Sequence, residues 1–162
     1  MLEKARLLSG RLRKRIFMHT FGMFDVFIDG TAVDIRSRRA KELLALLVQK
    51  RGVSLSPEEA LEIIWENEEY TNDSASVYRK TVSTLTQILS DLGIGELLIT
   101  MKHGRALDTT MFDCDLYDFQ DGSISAIESF NGQYMNQYSW GEPMLAQLIR
   151  EKRERIREVH SL

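Results

Sequence analysis

The segment from Asn72 to Gly93, NDSASVYRKTVSTLTQILSDLG, limits what this chain can be more than any other. Tyr78, Val82, Leu85, Leu89 and Leu92 recur at alternating steps of four and three, the one-sided stripe of an amphipathic helix. At about 100° per residue, Ser76, Arg79, Lys80, Ser83, Gln87 and Ser90 fall on the opposite side. A merely solvated face would mix Glu with Lys at four-residue spacing. This one offers hydroxyls, an amide, a guanidinium and an ammonium, with no anion between Asp73 and Asp91. Such a face suits a phosphate backbone and base edges.

The formal net charge of −3 runs against a nucleic-acid partner until its distribution is considered. Residues 1–15 carry six Lys or Arg against one Glu, a net of +5. Residues 16–110 carry ten basic and fourteen acidic groups, and residues 111–162 five and nine, so each stretch is −4. Basic charge is gathered into an arm and local clusters, which leaves DNA open as a partner. The apolar and charged fractions, 43% and 28%, are those of a globular protein. No apolar run approaches the ~18 residues of a membrane span. One cysteine, Cys114, excludes an internal disulfide framework and fits a reducing cytoplasm. With one Cys and three scattered His, no metal-ligand spacing exists. Without a Gly-rich phosphate loop, a nucleophile–base pair or a paired acid site, neither a cofactor nor an enzymatic activity is expected.

In chain order, MLEKARLLSGRLRKR ends in a basic run, either a linker or a phosphate-contacting arm. IFMHTFG and FDVFIDG then alternate at period two, and Asp29-Gly30 is a tight-hairpin dipeptide. TAVDI is expected as a third strand. Ser37 stands as the cap of a helix RRAKELLALLVQK that Gly52 stops. Val53-Ser54-Leu55 reads as a short bridging strand. Ser56-Pro57-Glu58-Glu59 is a strong helix start. A polar connection leads into the central helix, taken as residues 74–92. LLITM, the turn Lys102-His103-Gly104 and RAL then form a hairpin over about 97–107. Sheet, helix, short strand, helix, long helix and hairpin, in that order, make the winged-helix arrangement. Its long helix enters the major groove and its wing meets backbone or minor groove.

The run TFGMFDVFIDGTAVDIRSRRAKELLALLVQKRG, with SVYRK in the central helix, resembles the OmpR/PhoB-type winged-helix domain of SARP-like bacterial transcriptional regulators. MFDCDLYDF followed by AIESFNGQYMNQYSW is similar to the start of the bacterial transcriptional activator domain attached to such regulators, most closely the form found behind a receiver domain. The resemblance covers roughly residues 16–142. It implies the output part of a two-component response regulator, or a SARP-like regulator, although fifteen residues before Ile16 are too few to hold a receiver. The expected fold is α+β: a winged helix-turn-helix with an N-terminal antiparallel sheet, plus a short C-terminal helical extension. The expected division is a basic linker or arm (1–15), a winged-helix DNA-binding domain (16–110) and a truncated activator-type extension (111–162).

Arg79 and Lys80 are the first candidates for contact with double-stranded DNA, one at a guanine edge or phosphate, the other at a phosphate. Ser76, Ser83 and Gln87 share their face. Lys102, His103 and Arg105 are assigned to the wing tip. Arg38 and Arg39 either meet phosphate beside a helix N-terminus or form a salt-bridged corner with Asp34 or Glu42. Glu66, Glu68 and Glu69 make an acidic loop, where the resemblance implies contact with RNA polymerase. A winged helix gains specificity through a homodimer or through tandem copies on repeated sites. The competing reading is a protein-interaction module on a winged-helix scaffold with little or no DNA affinity. Cys114 lies between Asp113 and Asp115, whose charges suppress the thiolate, so it is read as structural. The C-terminal run from Pro143 onward is expected as one helix whose second half is exposed and charged.

Overall fold

The computed structural model describes residues 14–66 and 72–161. Asp29 and Gly30 adopt φ of 51° and 82°, as a two-residue turn of the primed type requires. Strand β2 (Asp25–Ile28) therefore folds back on β3 (Thr31–Ala32), pairing Phe27 with Ala32 and Ile28 with Thr31. The third strand is shorter than TAVDI suggests. One more backbone bond, from Val33 to the Val26 carbonyl (2.8 Å), follows before the chain turns toward the first helix. With β1 (Ile16–His19) and a strand the sequence reading did not expect (β6, Phe112–Cys114), the sheet runs in the order β3-β2-β1-β6.

The Ser37 hydroxyl accepts from the Ala40 amide (3.2 Å) and starts α1 (Arg38–Lys50). Arg51, at φ 49°, and Gly52, at φ 84°, end it. Ser56 caps α2 (Pro57–Ile64) through the Glu59 amide (3.1 Å), with Pro57 in the first turn where its missing N–H loses nothing. An ion pair between Lys50 and Glu59 links the two helices. Helix α3 spans Asn72–Asp91. Its stripe is buried as the spacing predicts at Tyr78, Val82, Leu85 and Leu89. These pack with Leu43, Leu44 and Leu47 of α1 in one apolar core, each fully buried leucine contributing roughly 2 kcal/mol.

A 3-10 turn at Gly95–Leu97 leads into β4 (Leu98–Met101), which pairs antiparallel with β5 (Gly104–Leu107) from Leu98↔Leu107 to Met101↔Gly104. Lys102 and His103 are thus a two-residue turn. Leu55 joins β5 by a single bridge, its N–H on the Arg105 carbonyl (2.8 Å) and its carbonyl on the Arg105 N–H (3.1 Å). The short strand expected at 53–55 is this one bridge.

Among the described residues the chain forms two compact units, and they are not contiguous in sequence. One takes residues 14–17 and 26–113; the other takes 18–25 and 114–161. The linear division at 110/111 did not foresee that residues 18–25 group with the C-terminal stretch. In that second unit the Asp115 carboxylate accepts from the Thr20 amide (2.9 and 3.0 Å), the Thr20 hydroxyl (2.6 Å), the Phe21 amide (3.0 Å) and the Leu116 amide (2.9 Å). The Gln137 side chain pairs with both backbone groups of Phe24, accepting at 2.7 Å and donating at 2.9 Å. The rings of Phe21, Phe119 and Phe130 meet edge to face, 5.0–5.9 Å apart. Helices α4 (Asp115–Gln120), α5 (Ile124–Ser129) and α6 (Glu142–His160) complete the unit. Beyond Lys152, α6 is exposed throughout its described residues. Among the described residues no helix is long and apolar enough to cross a membrane.

Candidate nucleic-acid interface

Burying Tyr78, Val82, Leu85 and Leu89 turns the other side of α3 outward. Ser76, Arg79, Lys80, Ser83 and Gln87 are all exposed, as the periodicity requires. Arg79 and Lys80 make no ion pair with another described residue. The threonines behave differently from the serines. Thr84 and Thr86 turn their hydroxyls back onto the carbonyls of Lys80 (2.9 Å) and Val82 (2.8 Å). Gln87 donates to the Asp91 carboxylate (2.8 Å), so one of its amide protons is engaged and its oxygen stays available. Exposed carboxylates stand only at the two ends of the face, Asp73 and Asp91.

Lys14, the first described residue, meets this helix at its C-terminal end. Lys14 Nζ donates to the Leu92 carbonyl at 2.5 Å, placing an ammonium where the helix leaves its carbonyls unpaired. The remaining arm residues, 1–13, lie outside the described residues.

The hairpin brings Lys102 and His103 to its exposed turn, but not Arg105. Arg105 is a half-buried β5 residue opposite Thr100, and its guanidinium lies within electrostatic reach of the Tyr78 hydroxyl. Burial raises the Tyr78 pKa above its ordinary value, Arg105 pulls it down, and Glu58 pushes it up. Arg105 therefore lies on the strand one pair back from the turn, bridged to Leu55 and within reach of Tyr78 on α3, rather than in the turn itself.

The two arginines at the start of α1 part ways. Arg38 is exposed. Arg39 reaches Glu42 (3.2 Å) and the Ile64 carbonyl (2.9 Å), with its guanidinium carbon 5.3 Å from the centroid of the Trp65 ring. Of the two readings left open for Arg39, the geometry favours the salt-bridged corner. Glu66 is exposed after α2, while Glu68 and Glu69 lie outside the described residues.

Three contributors escaped the sequence reading. Lys14 was one basic residue in a run, with nothing local to mark a partner 78 positions away. Gly104 follows Lys102-His103 as a turn glycine would, yet it is a strand residue pressed on Leu55. Val77 is an apolar residue off the apolar stripe, and that misfit was a signal available in the spacing alone.

No protein-family model matches the chain, and no curated protein matches it in sequence. Among solved structures the chain is similar to Mycobacterium tuberculosis EmbR in complex with low affinity phosphopeptide, at a TM-score of 0.67 and 22% identity. The match covers 86% of this chain and 43% of that one, so this chain spans less than half the length of EmbR. Over that span the two share a fold.

Proposed function

We propose that the chain is a sequence-specific reader of double-stranded DNA in a transcriptional regulator, with α3 in the major groove and the β4–β5 hairpin as a wing. The carrying observation is the outer face of α3, where Ser76, Arg79, Lys80, Ser83 and Gln87 are exposed with no carboxylate between Asp73 and Asp91. The fold shared with EmbR and the resemblance to SARP-like regulators support the same reading. Arg79 and Lys80 supply the charge; Ser76, Ser83 and the free oxygen of Gln87 address base edges. Lys102 and His103 meet backbone or minor groove, Arg38 meets phosphate, and Arg105 braces the hairpin. A cytoplasmic location, a homodimer or tandem arrangement on DNA, and polymerase contact near Glu66 belong to this reading. No chemistry is assigned to the chain.

The competing reading, an interaction module with little DNA affinity, draws on Asp73 and Asp91, which balance Arg79 and Lys80 along the face. Fluorescence anisotropy with selected and scrambled duplexes at several salt concentrations separates the two. A DNA reader shows affinity falling steeply with salt, and Arg79→Ala/Lys80→Ala flattens that slope by about two units. If the double variant and the wild type bind indistinguishably, the interaction module takes over.

A further inference from the structure

Val77 is 41% exposed on a helix whose other outward residues, apart from the two threonines, are polar or charged. The covered part of its surface contributes to the fold, but a β-branched residue is a mediocre helix former, and the open part is apolar surface turned to solvent. Thr84 lies seven residues on, two turns along the same edge, with Lys80 between them. The Thr84 hydroxyl gives its proton to the Lys80 carbonyl (2.9 Å), so toward a partner it can only accept, and beside it the side chain offers a methyl group. The edge is thus a line of methyl groups about 10 Å long, flanking an ammonium. That length matches about three base-pair steps at 3.4 Å. In the major groove only thymine presents a methyl group, at C5, beside the acceptors and donors that the polar part of the face can address.

We infer that Val77 and Thr84 read the C5-methyl groups of thymines in the target, making this edge of α3 a thymine-selecting surface beside Lys80. The inference rests on the proposed DNA reading and adds to it the base that the helix selects. Lys80 draws the edge toward the phosphates; the methyl groups then decide which sequence is held.

The test replaces thymine by deoxyuridine, one position at a time, in a duplex selected from a random library by the wild-type protein. Each replacement removes one methyl group and leaves pairing and hydrogen-bonding edges intact. Wild type should lose about fourfold in affinity at one or two positions, the equivalent of one buried methyl group. In Val77→Ala the loss at one of these positions should vanish. In Thr84→Ser the loss at another should vanish, while Thr84→Val, which keeps the methyl and discards the hydroxyl, should retain it. Both residues are exposed, and circular dichroism of the variants checks that the fold is kept. Sequence-specific binding that ignores every thymine-to-uracil replacement overturns the inference and leaves the DNA reading standing. Absence of any sequence preference overturns the DNA reading itself, and the inference with it.

Discussion

The Cα of Gly104 faces the carbonyl oxygen of Leu55 so closely that a β-carbon built on it would stand 2.0 Å from that oxygen and 2.7 Å from its carbon. Backbone occupies both sides of this contact, so no side chain can swing away. Gly104→Ala must push β5 off Leu55 and break the bridge through Arg105. A loss of about 1–3 kcal/mol is expected in urea unfolding. Gly95→Ala, whose nearest neighbour would be a Ser90 atom at 3.6 Å, serves as the control and should change little. In the DNA reading, Gly104→Ala also lowers affinity without touching a charge.

Asp115 gathers three amides and the Thr20 hydroxyl on one carboxylate, with the Cys114 thiol a weak fifth donor at 3.9 Å. Thr20 is fully buried, so Asp115→Ala strands its amide and hydroxyl away from water. Each hydrogen bond to a charged acceptor is worth about 1.5–3 kcal/mol, and the variant should lose at least about 3 kcal/mol. Asp115→Asn keeps one acceptor oxygen and should fall between the two. Equilibrium denaturation ranks the three proteins; equal stability would show that these bonds do not hold residues 18–25 in place.

Arg38 and Arg39 are adjacent but should respond differently. Arg39→Ala removes the clamp on Ile64 and Trp65 and should lower stability by about 1 kcal/mol, with a change in tryptophan fluorescence. Arg39→Lys should recover little, because an ammonium cannot both lie flat on the indole and reach the carbonyl. Arg38→Ala should leave stability unchanged and reduce DNA affinity about equally for all sequences, the signature of a phosphate contact.

Cys114 gives a test by pH. Burial, reinforced by the Asp115 charge, pushes its thiol well above the ordinary 9.0, whereas the unfolded chain ionises near that value. Above pH 9 the folded form therefore holds a proton that the unfolded form has released, and stability falls as pH rises. The slope contributed by this one group approaches about 1.4 kcal/mol per pH unit between pH 9 and 10. Tyr134, raised by its burial, adds a similar term only above its ordinary 10.0. Cys114→Ala should show a shallower decline than wild type between pH 9 and 10, measured by urea midpoints. In the folded wild type, an aromatic disulfide reagent at pH 8 should find the thiol silent until denaturant is added.

Local rules carried much of this fold. The caps at Ser37 and Ser56, the turn at Asp29-Gly30 and the stripe on α3 depend on neighbours within a few residues, so spacing and residue type suffice to place them. The exposed face of α3 followed from the same stripe. What stayed hidden depends on partners distant in the chain. Strand β6 is only Phe112–Cys114, too short for its own alternation to mark it. Arg105 looked like a tip residue because it follows the turn, but antiparallel pairing places it opposite Thr100 and beside Leu55. That the Thr84 hydroxyl turns back onto the Lys80 carbonyl is likewise not marked by residue type or spacing.

The clamp between Phe24 and Gln137 has a consequence for the order in which this protein is made. Its two halves lie 113 residues apart, and at bacterial or eukaryotic rates of synthesis that interval takes roughly 6 to 23 seconds. For most of that time Asp115, Phe119 and Phe130 are also still unmade, so the partners of Phe21 and Phe24 are missing. Two aromatic side chains that end up almost fully enclosed must wait in water, or on a chaperone, for the surfaces that will cover them. The earliest apolar segment of the described chain is thus among the last to be secured, and a ribosome paused before codon 137 would hold out an aromatic hook with nothing to catch.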